Sequence, residues 1–183
     1  MSVPGDGLPI AEVITARRVT LTPLRTADVE ELFPLLDDDR LHRFTGGSPD
    51  TLEQLRARLE GWGTERSPDG REAWLNWIVR TTGDDRAIGT TQATVIGGPG
   101  DRSAVVGWTT GVSEQGRGYA SEAAGAMVGW LQARGVGRID AHIHPDHAAS
   151  GGVARNAGLS QTDEVADGEV VWRSVVPPSA DAG

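Results

Sequence analysis

The segment from Ala104 to His144 constrains this chain more than any other. A strand-like run from Ala104 to Val112 leads into a glycine-rich turn, Gln115-Gly116-Arg117-Gly118-Tyr119-Ala120. A helical pattern follows from Ser121 to Arg134, and a second strand-like run covers Arg138 to His144. Strand, helix and strand in that order form a crossover, so the two strands are expected as parallel neighbours in one sheet. Ala120, Ala123, Ala124, Met127, Val128 and Leu131 make one apolar stripe, and Gly135 stops the helix. The stripe is rich in small residues, which suits close packing on a sheet.

The turn carries chemistry as well as geometry. The first turn of a helix has no internal acceptors for its N–H groups, and these sit at the positive end of the helix dipole, so the position suits an anion. Glycines at 116 and 118 let a phosphate approach where a Cβ would obstruct it, and Arg117 adds a cation. The turn reads as a pyrophosphate cradle or, more simply, as a structural glycine turn. It lacks the Lys-Ser/Thr pair of a nucleoside-triphosphate loop and the third glycine of the dinucleotide fingerprint.

The rest of the chain builds a mixed sheet around this unit. Val19 and Leu21 alternate with Thr20 and Thr22 as a strand. Thr26 is expected to cap a short acidic helix with Val29, Leu32, Phe33 and Leu36 on its apolar side, and Pro34 to kink it or end it early. Ser48, with Pro49 at the first helical position, is expected to start a second helix carrying Leu52, Leu55, Leu59 and Trp62. Strands are expected at Trp74 to Thr81, Ala87 to Ile96 and Ser103 to Val112, joined by turns at Thr82–Asp85 and Gly97–Gly100. After the crossover come a short helix from His147 to Ala157 and a hairpin joining Gln161–Val165 to Val170–Val175. Residues 1–14 are expected as a flexible lead, 15–176 as a single domain, and 177–183 as a flexible tail.

Composition excludes several classes. The 183 residues include no cysteine, which removes disulfides, a thiol nucleophile and thiolate metal sites. Net charge is −9 and every basic residue is arginine, so nucleic acid is not an expected partner. The start has neither the basic region nor the apolar core of a signal peptide, and no run has the length of a membrane span. The expectation is a cytoplasmic protein that does not engage membranes.

Three segments resemble one family. Arg18-Val19-Thr20-Leu21-Thr22-Pro23-Leu24 resembles the opening strand of the GNAT superfamily of N-acetyltransferases. Val106-Gly107-Trp108 through Ala123 is similar to that family's acetyl-CoA signature, Gln/Arg-x-x-Gly-x-Gly/Ala, met at Gln115, Gly118 and Ala120. His144-Pro145-Asp146-His147 through Ser150, and Val153 to Gly158-Leu159, looks like its second cofactor segment. Together they span most of residues 15–176, with the likeness greatest to the ribosomal-protein N-terminal (Rim-type) branch.

The resemblance implies an α/β fold, a mixed and mostly antiparallel twisted sheet with one splayed parallel pair and about four helices. It also implies acetyl-CoA as acyl donor and a primary amine as acceptor, a protein or peptide N-terminus or a small amine, attacking directly. Pantetheine would add to the strand edge at Thr109, Thr110 and Gly111, in the manner of an added β-strand. The pyrophosphate would lie on Gln115, Gly116, Arg117, Gly118, Tyr119 and Ala120, with His147 and Ser150 completing the cofactor segment. Ser150 would protonate the leaving thiolate. A monomer or homodimer is expected.

Departures from the family pattern matter. Relatives often carry a proton-relaying glutamate near Val105, a tyrosine acid near Ala154, and asparagine at His147. Valine and alanine leave open a non-catalytic acyl-CoA-binding module or inactive homologue, and the cradle alone leaves open another nucleotide ligand. His142 and His144 lie two apart on a strand and share a face; either is a candidate to take a proton from an ammonium acceptor, or is an ordinary hydrogen-bonded strand histidine. His144 is the base candidate carried forward. Adding Asp146 and His147 gives no metal-site spacing, so no metal is expected. Asp37-Asp38-Asp39 is either a solvated loop or an attractor for a cationic acceptor. Trp62, Trp74 and Trp77 are read as core, or as lining of an acceptor pocket.

Overall fold

A computed structural model of the chain describes residues 7–63 and 65–175. The tail expected at 177–183 and the first six residues of the lead lie outside the described residues. A short strand β1 (Ile14–Thr15), unforeseen in the sequence, precedes β2 (Val19–Pro23). A 3-10 turn at Thr26–Asp28 leads into α1 (Val29–Leu36), a second such turn spans Asp39–His42, and α2 covers Leu52–Trp62. The strands β3 (Glu72–Thr81), β4 (Ala87–Ile96) and β5 (Arg102–Thr110) form a meander. A 3-10 turn at Val112–Glu114 then precedes α3 (Tyr119–Ala133), β6 (Val136–Ile143), α4 (Ala148–Asn156) and the hairpin β7 (Ser160–Ala166) and β8 (Glu169–Val175).

All eight strands join one sheet in the order β1-β2-β3-β4-β5-β6-β8-β7, antiparallel throughout except for the parallel pair β5 and β6. The α/β architecture expected from the sequence, with its single parallel pair and four α-helices among the described residues, is the one observed. The sheet is coated on both faces. One face packs α3 and α4 over the main core, with Trp77, Met127, Leu131, Ile139 and Leu159 fully enclosed. A smaller core of Val29, Leu32, Leu55, Leu59, Ile78 and Ala87 lies beneath α1 and α2.

Local chemistry explains where two helix starts differ from expectation. The second helix begins after Thr51 rather than at Pro49. Thr51 Oγ1 accepts the Gln54 N–H at 3.2 Å while Gln54 Oε1 accepts the Thr51 N–H at 2.8 Å, a reciprocal capping box that satisfies two orphan donors at once. Thr26 does not cap α1; Asp28 Oδ2 accepts the Arg25 N–H at 2.8 Å, and the chain enters through the 3-10 turn. Helix α1 continues two residues beyond Pro34 to Leu36. Within the expected lead, Arg66 donates to the carbonyls of Leu8 and Pro9 at 2.6 and 2.8 Å, and Trp77 Nε1 donates to Glu12 O at 2.8 Å.

Candidate active site

The parallel ladder is short. β5 and β6 pair from Arg102/Val136 to Val105/Asp140 and no further, although β5 continues to Thr110 and β6 to Ile143. On its other edge β5 stays paired with β4 up to Gly89/Thr110. The stretch Val106–Thr110 therefore has one satisfied edge and one open edge facing the gap, and the ladder stops just before Gly107. Gly111 donates its N–H to Ile88 O at 2.9 Å. Across a trans peptide the preceding carbonyl points the opposite way, so Thr110 C=O faces the gap. There Gln115 Nε2 donates to it at 3.0 Å.

Below the gap lies the glycine turn. Gly116 and Gly118 adopt φ of 75° and 80°, and Gly118 is the residue immediately before α3. A left-handed residue there folds the chain sharply, leaving the first N–H groups of α3 without intrahelical acceptors. Arg18, the residue just before β2, underpins the turn. Its guanidinium donates to Arg117 O at 3.0 Å and pairs with Glu122 at 2.7 Å, and its backbone N–H also bonds Glu122 at 2.6 Å. Glu114, almost enclosed, pairs with Arg86 at 2.7 Å and with Arg117 at 3.5 Å. The Arg86 hydrogen bond, opposed by burial, holds the Glu114 carboxyl below its usual range. The Arg117 side chain is more than half exposed beside the turn.

Across the gap stands the start of α4. His147 is its N-cap, with Nδ1 accepting the Ser150 N–H at 3.4 Å. Burial, and secondarily the proximity of His144, keeps the His147 imidazole below its ordinary value and so favours the neutral form that the cap needs. Its ring stacks on Phe44 with centroids 4.3 Å apart, and His144 tilts against the same phenylalanine at 5.5 Å. Ser150 Oγ accepts a hydrogen bond of 3.0 Å from Trp108 Nε1 on the open stretch of β5.

His144 begins the loop after β6, and its Nδ1 accepts the Asp146 N–H at 3.2 Å. A neutral imidazole that accepts at Nδ1 carries its proton on Nε2. The same histidine lines a cleft of about 560 Å³ together with Phe44, Thr45, Asp167, Gly168 and Glu169. Two acidic residues are thus among its lining. Of the acidic run expected there, Asp38 is occupied by Arg40, which donates to it at 2.9 and 2.6 Å from its side chain. Trp77 is fully buried, Trp74 bonds Glu72 at 2.8 Å, and Trp62 packs under Arg58. None of these three lines the cleft.

The structure thus gathers the expected residues around one gap: Thr109, Thr110 and Gly111 on its β5 side, Gln115 to Ala120 at its base, His147 and Ser150 on its α4 side. His144 stands at the cleft beyond. Val105 is exposed on β5, and Ala154 is fully buried against the sheet. The arrangement fits a ligand made of amides, a pyrophosphate and a thioester. The open edge offers strand-like hydrogen bonding, and a Cβ on Gly118 would come within 3.2 Å of the Arg18 guanidinium. Sequence reasoning missed Arg18, Trp108, Glu122 and the Asp167/Glu169 pair as site residues. The first three sat within the motifs that carry the resemblance; the last two fell in the connection between the strands expected at Gln161–Val165 and Val170–Val175.

The comparisons with known proteins point the same way. The acetyltransferase (GNAT) domain family matches residues 18–160. RimJ of Mycobacterium smegmatis, solved with a CoA disulfide, superposes with a TM-score of 0.74 at 18% identity, covering 90% of this chain and 87% of that one. A Salmonella typhimurium acetyltransferase that modifies the N-terminal serine of ribosomal protein L7/L12 gives 0.71 at 18% identity, covering 91% and 100%. The microcin C7 self-immunity acetyltransferase MccE, solved with acetyl-CoA and AMP, gives 0.70 at 15%, covering 88% and 94%. At these identities the likeness is one of fold. No curated protein matches the chain. Among the described residues no helix is long and apolar enough to cross a membrane, and no group of three His, Asp or Glu is placed to hold a metal.

Proposed function

The chain belongs to the GNAT acetyltransferase family, and on that premise we propose that it transfers an acetyl group from acetyl-CoA to a primary amine, a protein or peptide N-terminus ahead of a small amine. The observation that carries this reading is the early end of the β5/β6 ladder at Val105/Asp140, which leaves an open strand edge between the glycine turn and Ser150. When bound, acetyl-CoA supplies the thioester: a C–N bond forms, the C–S bond breaks, and one proton passes from nitrogen to sulfur.

The residues divide the work by position. The open edge at Thr109, Thr110 and Gly111 orients the pantetheine amides. Its Thr110 carbonyl is held by Gln115, so the Gln115 side chain swings off that carbonyl when a ligand amide takes it. Gln115 to Ala120 and His147 bind the phosphate end, with Arg117 as counter-charge. Ser150 releases its Oγ proton to the departing sulfur. The carboxylates of Asp167 and Glu169 draw the acceptor ammonium into the cleft. His144 is the base, and because its lone pair at Nδ1 now holds Asp146 N–H, taking a proton requires that bond to open.

The test is acceptor-dependent release of free thiol from acetyl-CoA across a panel of peptide N-termini and small amines. Turnover with peptides carrying a free N-terminus, abolished by blocking that terminus, is the expected result. Stoichiometric acetyl-CoA binding without thiol release from any acceptor would identify a non-catalytic acyl-CoA-binding module, the alternative that Val105 motivates. Native mass spectrometry of the same samples reports binding and whether the protein is a monomer or homodimer.

A further inference from the structure

Ser150 and Trp108 face each other across the gap where β5 and β6 have stopped pairing. Ala104, Val106 and Trp108 alternate onto the face of the sheet that carries α3 and α4, and Val106 and Trp108 lie beyond the last β5/β6 pair. Its backbone is fixed by the ladder with β4, where it opposes Thr91. Its ring packs half-buried against the main core. From there Nε1 donates to Ser150 Oγ at 3.0 Å.

The direction of this bond matters. A serine hydroxyl has one proton to give and two lone pairs to receive with, whereas an indole N–H only donates. With Trp108 filling one lone pair, the Ser150 proton must point elsewhere, and among the described residues no acceptor takes it. The hydroxyl is therefore held as an acid with its proton free, and a hydrogen bond to its oxygen strengthens as negative charge builds there.

We propose that Trp108 is a positioning residue for proton delivery: its indole N–H directs the Ser150 proton into the gap and stabilises the oxygen as that proton leaves. This rests on Ser150 being the proton donor. The first proton of the acceptor ammonium goes to His144 and from there to solvent. Ser150 then gives its Oγ proton to the departing sulfur and takes in exchange the second proton, shed by the nitrogen once the C–N bond has formed, so the enzyme ends the cycle unchanged. Trp108 loses and gains nothing. Phenylalanine in its place keeps an aromatic ring in the core and removes only the donor.

The experiment compares wild type, Trp108→Phe, Ser150→Ala and the double variant. Ser150→Ala should lower kcat by about 10²- to 10⁴-fold, and Trp108→Phe by about tenfold. Acetyl-CoA affinity measured by calorimetry should hold in Trp108→Phe. Adding Trp108→Phe to Ser150→Ala should cost nothing further, because the donor then has no oxygen to act on. Without any ligand, the assigned indole Nε1–H resonance of Trp108 should shift in Ser150→Ala, a readout that remains decisive if Trp108→Phe does not fold. Wild-type kcat in Trp108→Phe, an additive loss in the double variant, or an unmoved resonance overturns the proposal. Wild-type kcat in Ser150→Ala instead overturns the serine assignment on which it rests.

Discussion

Arg18 and Glu122, separated by 104 residues, grip one another at two points: guanidinium to carboxylate at 2.7 Å and backbone N–H to carboxylate at 2.6 Å. The same guanidinium holds Arg117 C=O at 3.0 Å. Because a trans peptide sets its carbonyl and the next N–H in opposite directions, drawing the Arg117 carbonyl toward β2 turns the Gly118 N–H away from it. An ion pair between the residue leading into the second strand and the third helix thereby sets the direction of a donor in the proposed phosphate cradle.

Replacing Glu122 by Gln keeps the shape and removes the charge. It should destabilise the protein by about 1–2 kcal/mol, shifted down from the range of about 1.5–3 kcal/mol for a hydrogen bond to a charged group because solvent screens the partly exposed Arg18, and weaken acetyl-CoA binding. Burial pushes the Glu122 carboxyl up, but the Arg18 backbone and guanidinium bonds outweigh it and leave it below its usual value of 4.5. The folded state thus favours the ionised form. This contribution is complete above the unfolded value and disappears as pH falls through the lower folded one. Denaturant melts of wild type and Glu122→Gln at stepped pH should differ by a constant amount above about pH 5.5 and converge below it.

Gly118→Val places a β-branched residue at φ of 80°, a conformation that costs an L-residue about 1–2 kcal/mol. Its Cβ would also crowd the Arg18 guanidinium at 3.2 Å. Calorimetric titration with acetyl-CoA should show the affinity lost while circular dichroism still reports a folded chain. Retained affinity would remove the cradle assignment.

Gly89 makes the tightest backbone approach near the open edge. A Cβ there would lie 2.2 Å from Thr109 O, so Gly89→Ala must push β5 away from β4. Overpacking of this kind costs about 1–3 kcal/mol, and the displaced segment is the one proposed to bind pantetheine. Both the thermal midpoint and acetyl-CoA affinity should fall. An equivalent change at Gly98, where a Cβ meets nothing within 4 Å, should leave both intact.

His147 caps α4 only while neutral. Burial and the nearby His144 lower its value from the ordinary 6.5, so the unfolded chain takes up a proton before the folded one does. Stability is then complete above about pH 6.5 and declines as pH drops through the lowered folded value. His147→Asn retains a capping oxygen that does not titrate. Its stability, measured by urea unfolding, should change less than that of wild type between pH 7.5 and 5.5.

Legibility followed distance along the chain. The strand, glycine turn and helix from Ala104 to Arg134 were readable because each depends on residues a few positions apart: alternation, a φ that glycine tolerates, an apolar stripe. The parallel pairing across the crossover followed from connection rules. Helix starts were misjudged where two signals competed, as at α2, where the reciprocal capping box of Thr51 and Gln54 sets the start that Ser48 and Pro49 were expected to set. Trp108 was quoted as part of a motif, yet nothing near it in sequence pointed to Ser150, 42 residues away.

The sequence by itself determined the local chemistry of this protein: which strand ends in a glycine turn, which helix begins there with free N–H groups, and that no cysteine of the chain takes part. Tertiary structure alone decided which side chains complete those elements. Arg18 beneath the turn, Phe44 against His147, Trp108 on Ser150, and the Asp167/Glu169 rim all depend on where distant segments come to rest on the sheet. The physical reason is that backbone conformation is selected by sterics and hydrogen bonding within a few residues, whereas a contact across the sheet is selected by the packing of the whole core and leaves no periodic trace in the residues that make it.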